Sequence, residues 1–276
     1  MSLFQFPYLP LELVRIILEI AANHRPTALS LCVVSKDFHR WITPILYRTV
    51  TLLLPDNLRR KIFKAFPHGD LVKNLYISRE PTMIQFRKFT MLKNLAIPDY
   101  SLRRLNQIPA TVTHLTMAYS PEPRGDPSFS SITHLYLIGS KGLLFFHRLC
   151  WTQPKLPHLT HVVCGMDALP NQIILSRFLG PLSEPTFDKL RVIGLQMLTQ
   201  AVGSDPERIL TDVVVSVIRT NTFRNDDKIV VLPGETEFND SHWKEWFQSG
   251  EDVWEKAERL LSSPAASVVE LSNEIQ

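Results

Sequence analysis

The sequence predicts an α/β (α+β) chain in three parts: a short three-helix unit over residues 1–50, a stacked-repeat solenoid over 51–262 closed by a C-terminal capping helix, and a loose tail at 263–276. Three observations predict it. A seven-residue phrase recurs at a stride of 20, as "LVKNLYI", "MLKNLAI", "TVTHLTM" and "SITHLYL", anchored on Leu75, Leu95, Leu115 and Leu135. Each phrase ends in apolar residues spaced by two (Leu75 and Ile77, Leu95 and Ile97, Leu115 and Met117, Leu135 and Leu137), the period of a strand with one buried face. The first fifty residues lack the phrase and show helical spacing instead.

In chain order, "LPLELVRIILEIA" places Pro10 at a first helical turn and sets Leu13, Ile16, Ile17 and Ile20 on one face. Thr27 can cap a second helix through "ALSLCVV", and Ser35 a third through "KDFHRWI". Pro44 permits a break, and "LYRTVTLLL" leads into the first strand. Between the repeated phrases, "PTMIQFRKF" and "DYSLRRLNQI" have helical spacing. One strand and one return element in about 20 residues fits the leucine-rich-repeat range. One such unit cannot bury its apolar face alone, whereas stacked neighbours share a core. Farther on, "LTHVVC", "FDKLRVIGL" and "DDKIVVLPG" read as strands separated by helices in "NQIILSRFLG" and "ERILTDVVVSVIRT". The terminal "HWKEWFQSGEDVWEKAERLL" gathers Trp243, Trp246, Phe247, Trp254 and Leu261 into an aromatic patch, read as a cap on the last repeat or as a substrate contact.

Exclusions narrow the function. A doubly wound nucleotide-binding sheet needs a glycine fingerprint after a strand, and neither GxGxxG nor GxxxxGK[ST] occurs. No GxSxG, HExxH or paired-cysteine spacing occurs either, so the chain reads as non-catalytic, with no cofactor and no metal. Cys32, Cys150 and Cys164 make no disulfide framework, which suits a reduced compartment, cytoplasm or nucleus. Glu12, Arg15 and Glu19 interrupt the apolar start, so neither a signal peptide nor a membrane span is expected there. The net charge of +3 divides unevenly, with 19 Lys/Arg against 9 Asp/Glu in residues 1–150. The cluster Arg59, Arg60, Lys61 and Lys64 leaves Leu58, Ile62, Phe63 and Phe66 on its other face, the pattern of a solvated helix, and no nucleic-acid partner is expected.

The stretch "LPLELVRIIL…LSLCVVSKDFHRWITPILYRTVTL" resembles an F-box, the motif by which substrate receptors dock on the Skp-type adaptor of a cullin–RING ubiquitin ligase. The family's Leu-Pro-x-Glu-Leu stands here as Leu9, Pro10, Glu12 and Leu13, with its helix Ile at Ile17. Its Val-Cys-Lys-x-Trp segment stands as Val34, Ser35, Lys36 and Phe38, and its later Trp as Tyr47. Over the whole chain, an F-box followed by irregular leucine repeats is similar to the F-box proteins abundant in mushroom-forming fungi. The resemblance implies an adaptor-binding role for Leu9, Pro10, Leu13, Ile17, Leu31, Val34 and Phe38. A helical cap closing the solenoid's end is the alternative use of the same residues; it has no need to expose Leu9, Pro10 or Val34, and both uses bury Leu13 and Ile16.

Period-two alternation directs a second set of side chains away from the leucines, toward the side expected to be concave and open. Asn74, Tyr76, Asn94, His114, Thr116, His134, Tyr136 and His161 fall on it and are the candidate substrate-binding residues. The histidines would project in parallel from neighbouring strands, which splays them too far for zinc. The function expected is that of a ubiquitin-ligase substrate receptor for an unknown protein target, the alternative being a solenoid scaffold with no link to ubiquitin.

Overall fold

The computed structural model describes residues 9–52, 66–78, 86–97, 108–118, 129–139, 142–143, 146–147, 156–198, 205–220, 223, 226–234, 240–249 and 252–263. Eight strands pair in chain order into one open, all-parallel sheet. They are β1 (Thr49–Leu52), β2 (Asn74–Ile77), β3 (Asn94–Ile97), β4 (His114–Ala118), β5 (His134–Ile138), β6 (His161–Met166), β7 (Val192–Met197) and β8 (Ile229–Leu232). Among the described residues there are seven α-helices: α1 (Leu11–Ala21), α2 (Arg25–Cys32), α3 (Lys36–Leu46), α4 (Gln172–Leu182), α5 (Pro206–Thr220), α6 (Asp240–Ser249) and α7 (Val253–Leu261).

The stride of 20 is the register of this sheet. Leu75, Leu95, Leu115 and Leu135 stand directly opposite one another on β2 to β5, and Val162 and Ile193 continue the row. Three residues before each leucine anchor lies a second buried column, Val72, Leu92, Val112 and Ile132. Together with Phe89, Phe129, Phe146, and Phe178 from α4, these rows form the principal core on the first face of the sheet. Each fully buried leucine contributes about 1.5–3 kcal/mol of transfer free energy. A rung therefore gains most of its stability from its neighbours, as a repeat requires.

The N-terminal helices hold a small core of their own, with Ala22, Ala28 and Ile42 buried and Leu18, Leu31, Ile45 and Leu46 against them. Ser35 caps α3 by accepting from the Phe38 amide at 3.1 Å. Thr27 does not cap α2: the helix already begins at Arg25, because Pro26 suits its first turn, and Thr27 Oγ1 instead meets His24 Nδ1 at 2.9 Å. Pro44 does not break α3, which continues to Leu46. The expected return helix in "PTMIQFRKF" is a single 3-10 turn, Phe86–Lys88, where described, and "DYSLRRLNQI" lies almost wholly outside the described residues. The same holds for the basic cluster Arg59, Arg60, Lys61 and Lys64, for Cys150 and for the tail from Pro264. Cys32 and Cys164 are free thiols, and burial pushes the Cys164 pKa up.

The C-terminal reading requires a correction. The expected single helix is two, α6 and α7, with Asp252 between them closing a capping box: it accepts from the amides of Trp254 and Glu255, and Glu255 returns the bond. The pair does not simply close the last edge of the sheet. It lies across the second face of the sheet, with α6 against β1 and α7 against β6, β7 and β8. Trp243, Trp246 and Trp254 bury there in a second core with Tyr76, Ala96, Tyr136, Val163 and Val230. Covering a face removes far more aromatic surface from water than covering one edge, and each Trp can bury about 150–250 Å².

Candidate functional site

Two surfaces carry the candidate residues. The first belongs to the N-terminal helices. On α1, Leu13, Ile16, Ile17 and Ile20 follow the i, i+3, i+4, i+7 spacing that lines one side of a helix. That stripe points outward: Leu13 is 46% exposed, Ile17 52% and Ile20 66%. The inward side is formed by Val14, Ala22 and the partly buried Leu18. Leu13 and Ile16 are thus not internal, contrary to both the F-box and the cap expectation, each of which buries them. Leu9, Val34 and Val33 add to the exposed apolar set, Val33 at 84%. Pro10 is exposed as well, while Leu31 and Phe38 are half-buried, Leu31 against the small core and Phe38 stacked on Trp41 at 6.1 Å.

The second surface is the covered face. Register alignment brings the expected residues together in two rows. One runs Thr49, Asn74, Asn94, His114, His134, His161; the other runs Thr51, Tyr76, Ala96, Thr116, Tyr136, Val163. The expectation that these rows are open is wrong. Tyr136 and Thr116 are fully buried, Asn74, Tyr76 and His161 nearly so, and Asn94, His114 and His134 are half-buried. The reason is the C-terminal pair, whose indoles occupy the space a target would need: Trp243 lies 6.3 Å from Tyr76 and Trp246 5.6 Å from Tyr136, ring centre to ring centre. The two rows therefore do not form the open face expected for substrate binding.

The rows are held by side-chain ladders. Asn94 Nδ2 donates to Asn74 Oδ1 at 2.7 Å, and Asn74 Nδ2 donates to Thr49 Oγ1 at 2.8 Å. The imidazoles of His114, His134 and His161 stack in parallel with centres 4.0 and 4.2 Å apart. In each, Nδ1 meets the hydroxyl of the preceding threonine, Thr113, Thr133 or Thr160, at 2.8 Å, which fixes the ring plane. Trp254 stands almost perpendicular to the first two rings at 5.1 and 5.4 Å. His161 Nε2 donates to Glu258 Oε1 of α7 at 2.7 Å. Nearby, the Tyr136 hydroxyl donates to Gln196 Oε1 at 3.1 Å, and Gln196 Nε2 donates to the Pro233 carbonyl at 3.0 Å.

Burial dominates the electrostatics of the stack. Desolvation, then the charges of His161 and Lys93, push the His114 pKa down to about 4. Desolvation, then His114 and His161, push His134 down to about 2. Burial also lowers His161, although the bond and charge of Glu258 oppose it. Neutral stacked imidazoles act as structural spacers, and among the described residues no group of three His, Cys, Asp or Glu could hold a metal ion. No described helix is long and apolar enough to cross a membrane. The outward stripe of α1 was half legible, since its spacing was visible but its direction was not. The C-terminal helical segment was legible, but the sheet face it covers was not, because amphipathicity does not name the surface a helix covers.

No family model matches the chain, and no curated protein or solved structure gives a significant match.

Proposed function

We propose that the chain is a substrate receptor that docks on a Skp-type adaptor of a cullin–RING ubiquitin ligase through its N-terminal helices. The observation that carries this reading is the outward apolar stripe Leu13, Ile16, Ile17 and Ile20, continued by Leu9, Val33 and Val34. Water-facing apolar residues clustered on a small helical unit mark an interaction site. Their spacing is the anchor pattern by which a helix enters an apolar groove. A plain cap has no need to expose Leu9, Pro10 or Val34, and all three are exposed. The F-box-like order Leu9, Pro10, Glu12, Leu13 supports a Skp-type adaptor as the partner.

The leucine-rich-repeat-like sheet is then a rigid arm. It holds a protein target near the ubiquitin-charged enzyme, raising effective concentration so that lysine attack is nearly intramolecular. The target-holding surface is not the pair of covered rows. Titrating the full chain with purified Skp-type adaptor in a calorimeter tests the proposal, with saturable one-to-one binding expected and an absence of heat and co-elution contradicting it.

A further inference from the structure

Among the described residues, five buried side-chain atoms have no hydrogen-bond partner: Thr51 Oγ1, Asn94 Oδ1, Thr116 Oγ1, Trp243 Nε1 and Trp254 Nε1. All five belong to one seam. Thr51 and Thr116 lie in the Tyr76 and Tyr136 row, Asn94 stands opposite His114, and the two indoles come down on these rows from α6 and α7. The leucine core on the other face contributes none. Buried polar atoms in folded proteins are nearly always paired, so a cluster confined to one interface needs a physical explanation.

The shape of the floor supplies one. In the second row two small side chains, Ala96 and Thr116, lie between two tyrosines, Tyr76 and Tyr136. Each tyrosine carries an indole, Trp243 on one and Trp246 on the other, so the covering helices rest on the tall residues. Small side chains thus lie between the two supports at β3 and β4, where Asn94 and Thr116 stand on neighbouring strands and Trp254 packs against the His114 ring. The atoms there are one obligate acceptor, one obligate donor and one hydroxyl that can do either. An occupant has to donate to Asn94 and accept from Trp254. A metal ion cannot donate, and a simple anion finds a carbonyl oxygen turned against it.

We propose that this seam is a hydration site, in which ordered water bridges Asn94 Oδ1, Thr116 Oγ1 and Trp254 Nε1 beneath the C-terminal helices. Water satisfies the two-sided requirement in the smallest volume and with the two to four partners that a buried molecule needs. The C-terminal pair is then seated on the sheet partly through solvent, unlike α4 and α5, which pack on it through apolar side chains.

A crystal structure of the full chain at a resolution that shows ordered solvent tests this directly. A water within about 2.7–3.2 Å of Trp254 Nε1 and of Asn94 Oδ1 or Thr116 Oγ1 is expected. A dry seam, or a rotamer in which these atoms pair with protein, overturns the proposal. Thr116→Val in the full chain gives an independent readout, because it keeps the shape and removes the hydroxyl. If the hydroxyl holds a bridging water, the folding equilibrium constant falls about five- to tenfold. If the seam is dry, removing an unpaired group leaves stability equal or higher, and that result also overturns the proposal. Should the variant not fold, the wild-type structure decides.

Discussion

His161 Nε2 and Glu258 Oε1 stand 2.7 Å apart, joining β6 to α7 across 97 residues of sequence. This contact fastens the last helix to the polar row at its buried end, because His161 is almost fully enclosed while the Glu258 side chain remains half exposed. Glu258→Gln keeps an acceptor and removes the charge. Because one partner is largely solvated, the loss of stability is expected to be at most about 1 kcal/mol. The His161 pKa should fall further, since Glu258 opposes the lowering caused by burial. NMR titration of the imidazole checks the direction, and an unchanged or raised value would mean that the contact does not form in solution.

The pH dependence of stability follows from the stack. His114 and His134 have folded pKa values of about 4 and about 2, below the ordinary 6.5, so the unfolded chain binds protons that the folded chain refuses. Their contribution is fully present above pH 6.5 and is lost progressively as pH falls toward the folded values. Each imidazole contributes at most about 1.4 kcal/mol per pH unit in that window. Asp252 works the other way: burial first of all raises its pKa to about 6 from 3.8, so it stabilises on acidification between those values. Two imidazoles outweigh one carboxyl. Urea midpoints should therefore decline between pH 6.5 and pH 5, and His134→Asn should flatten the decline. A midpoint that rises on acidification contradicts the buried neutral stack.

Tyr136 tests the covered face. On an open strand face its removal would cost almost nothing, whereas here Tyr136→Ala should cost about 2–5 kcal/mol, in the same range as Leu115→Ala. Tyr136→Phe isolates the hydroxyl and should cost about 0.5–1.5 kcal/mol through the lost bond to Gln196. Gly165→Ala should also be costly, because its methyl would meet the Tyr136 hydroxyl at 2.6 Å and Leu198 Cδ1 at 2.8 Å. Chemical denaturation of the three variants gives the numbers. Near-neutral results for all three would reinstate an open face.

The sheet was legible in the sequence for a definite reason. A fixed stride with period-two alternation leaves one register in which Leu75, Leu95, Leu115 and Leu135 align, and a one-residue slip would move a strand's leucine to the other face. Ser35 was legible as a cap because the geometry it satisfies is local. What could not be read was tertiary choice. Trp243, Trp246 and Trp254 would be buried by capping the last strand or by crossing the whole sheet, and helical spacing is the same in both. Alternation told which residues share a face with His134, but not what lies on that face. On α1 two apolar sides compete, Val14 with Leu18 and Leu13 with Ile17, and periodicity alone does not tell which packs inward.

The central claim is that the outward stripe of α1 is a docking surface for a Skp-type adaptor. Its most direct test is the affinity of purified adaptor for the full chain and for the double variant Leu13→Ala, Ile17→Ala, measured calorimetrically side by side. Both residues are about half exposed, so the variant should keep its fold, with a circular dichroism melt close to that of the wild type. Full burial of such a side chain contributes about 1.5–3 kcal/mol and about half of that remains to be gained at an interface, so losing two should weaken binding about ten- to a hundredfold. Wild-type binding abolished or greatly weakened in a folded variant is the predicted result. Equal affinity of the two chains, or no binding by either, would contradict the account.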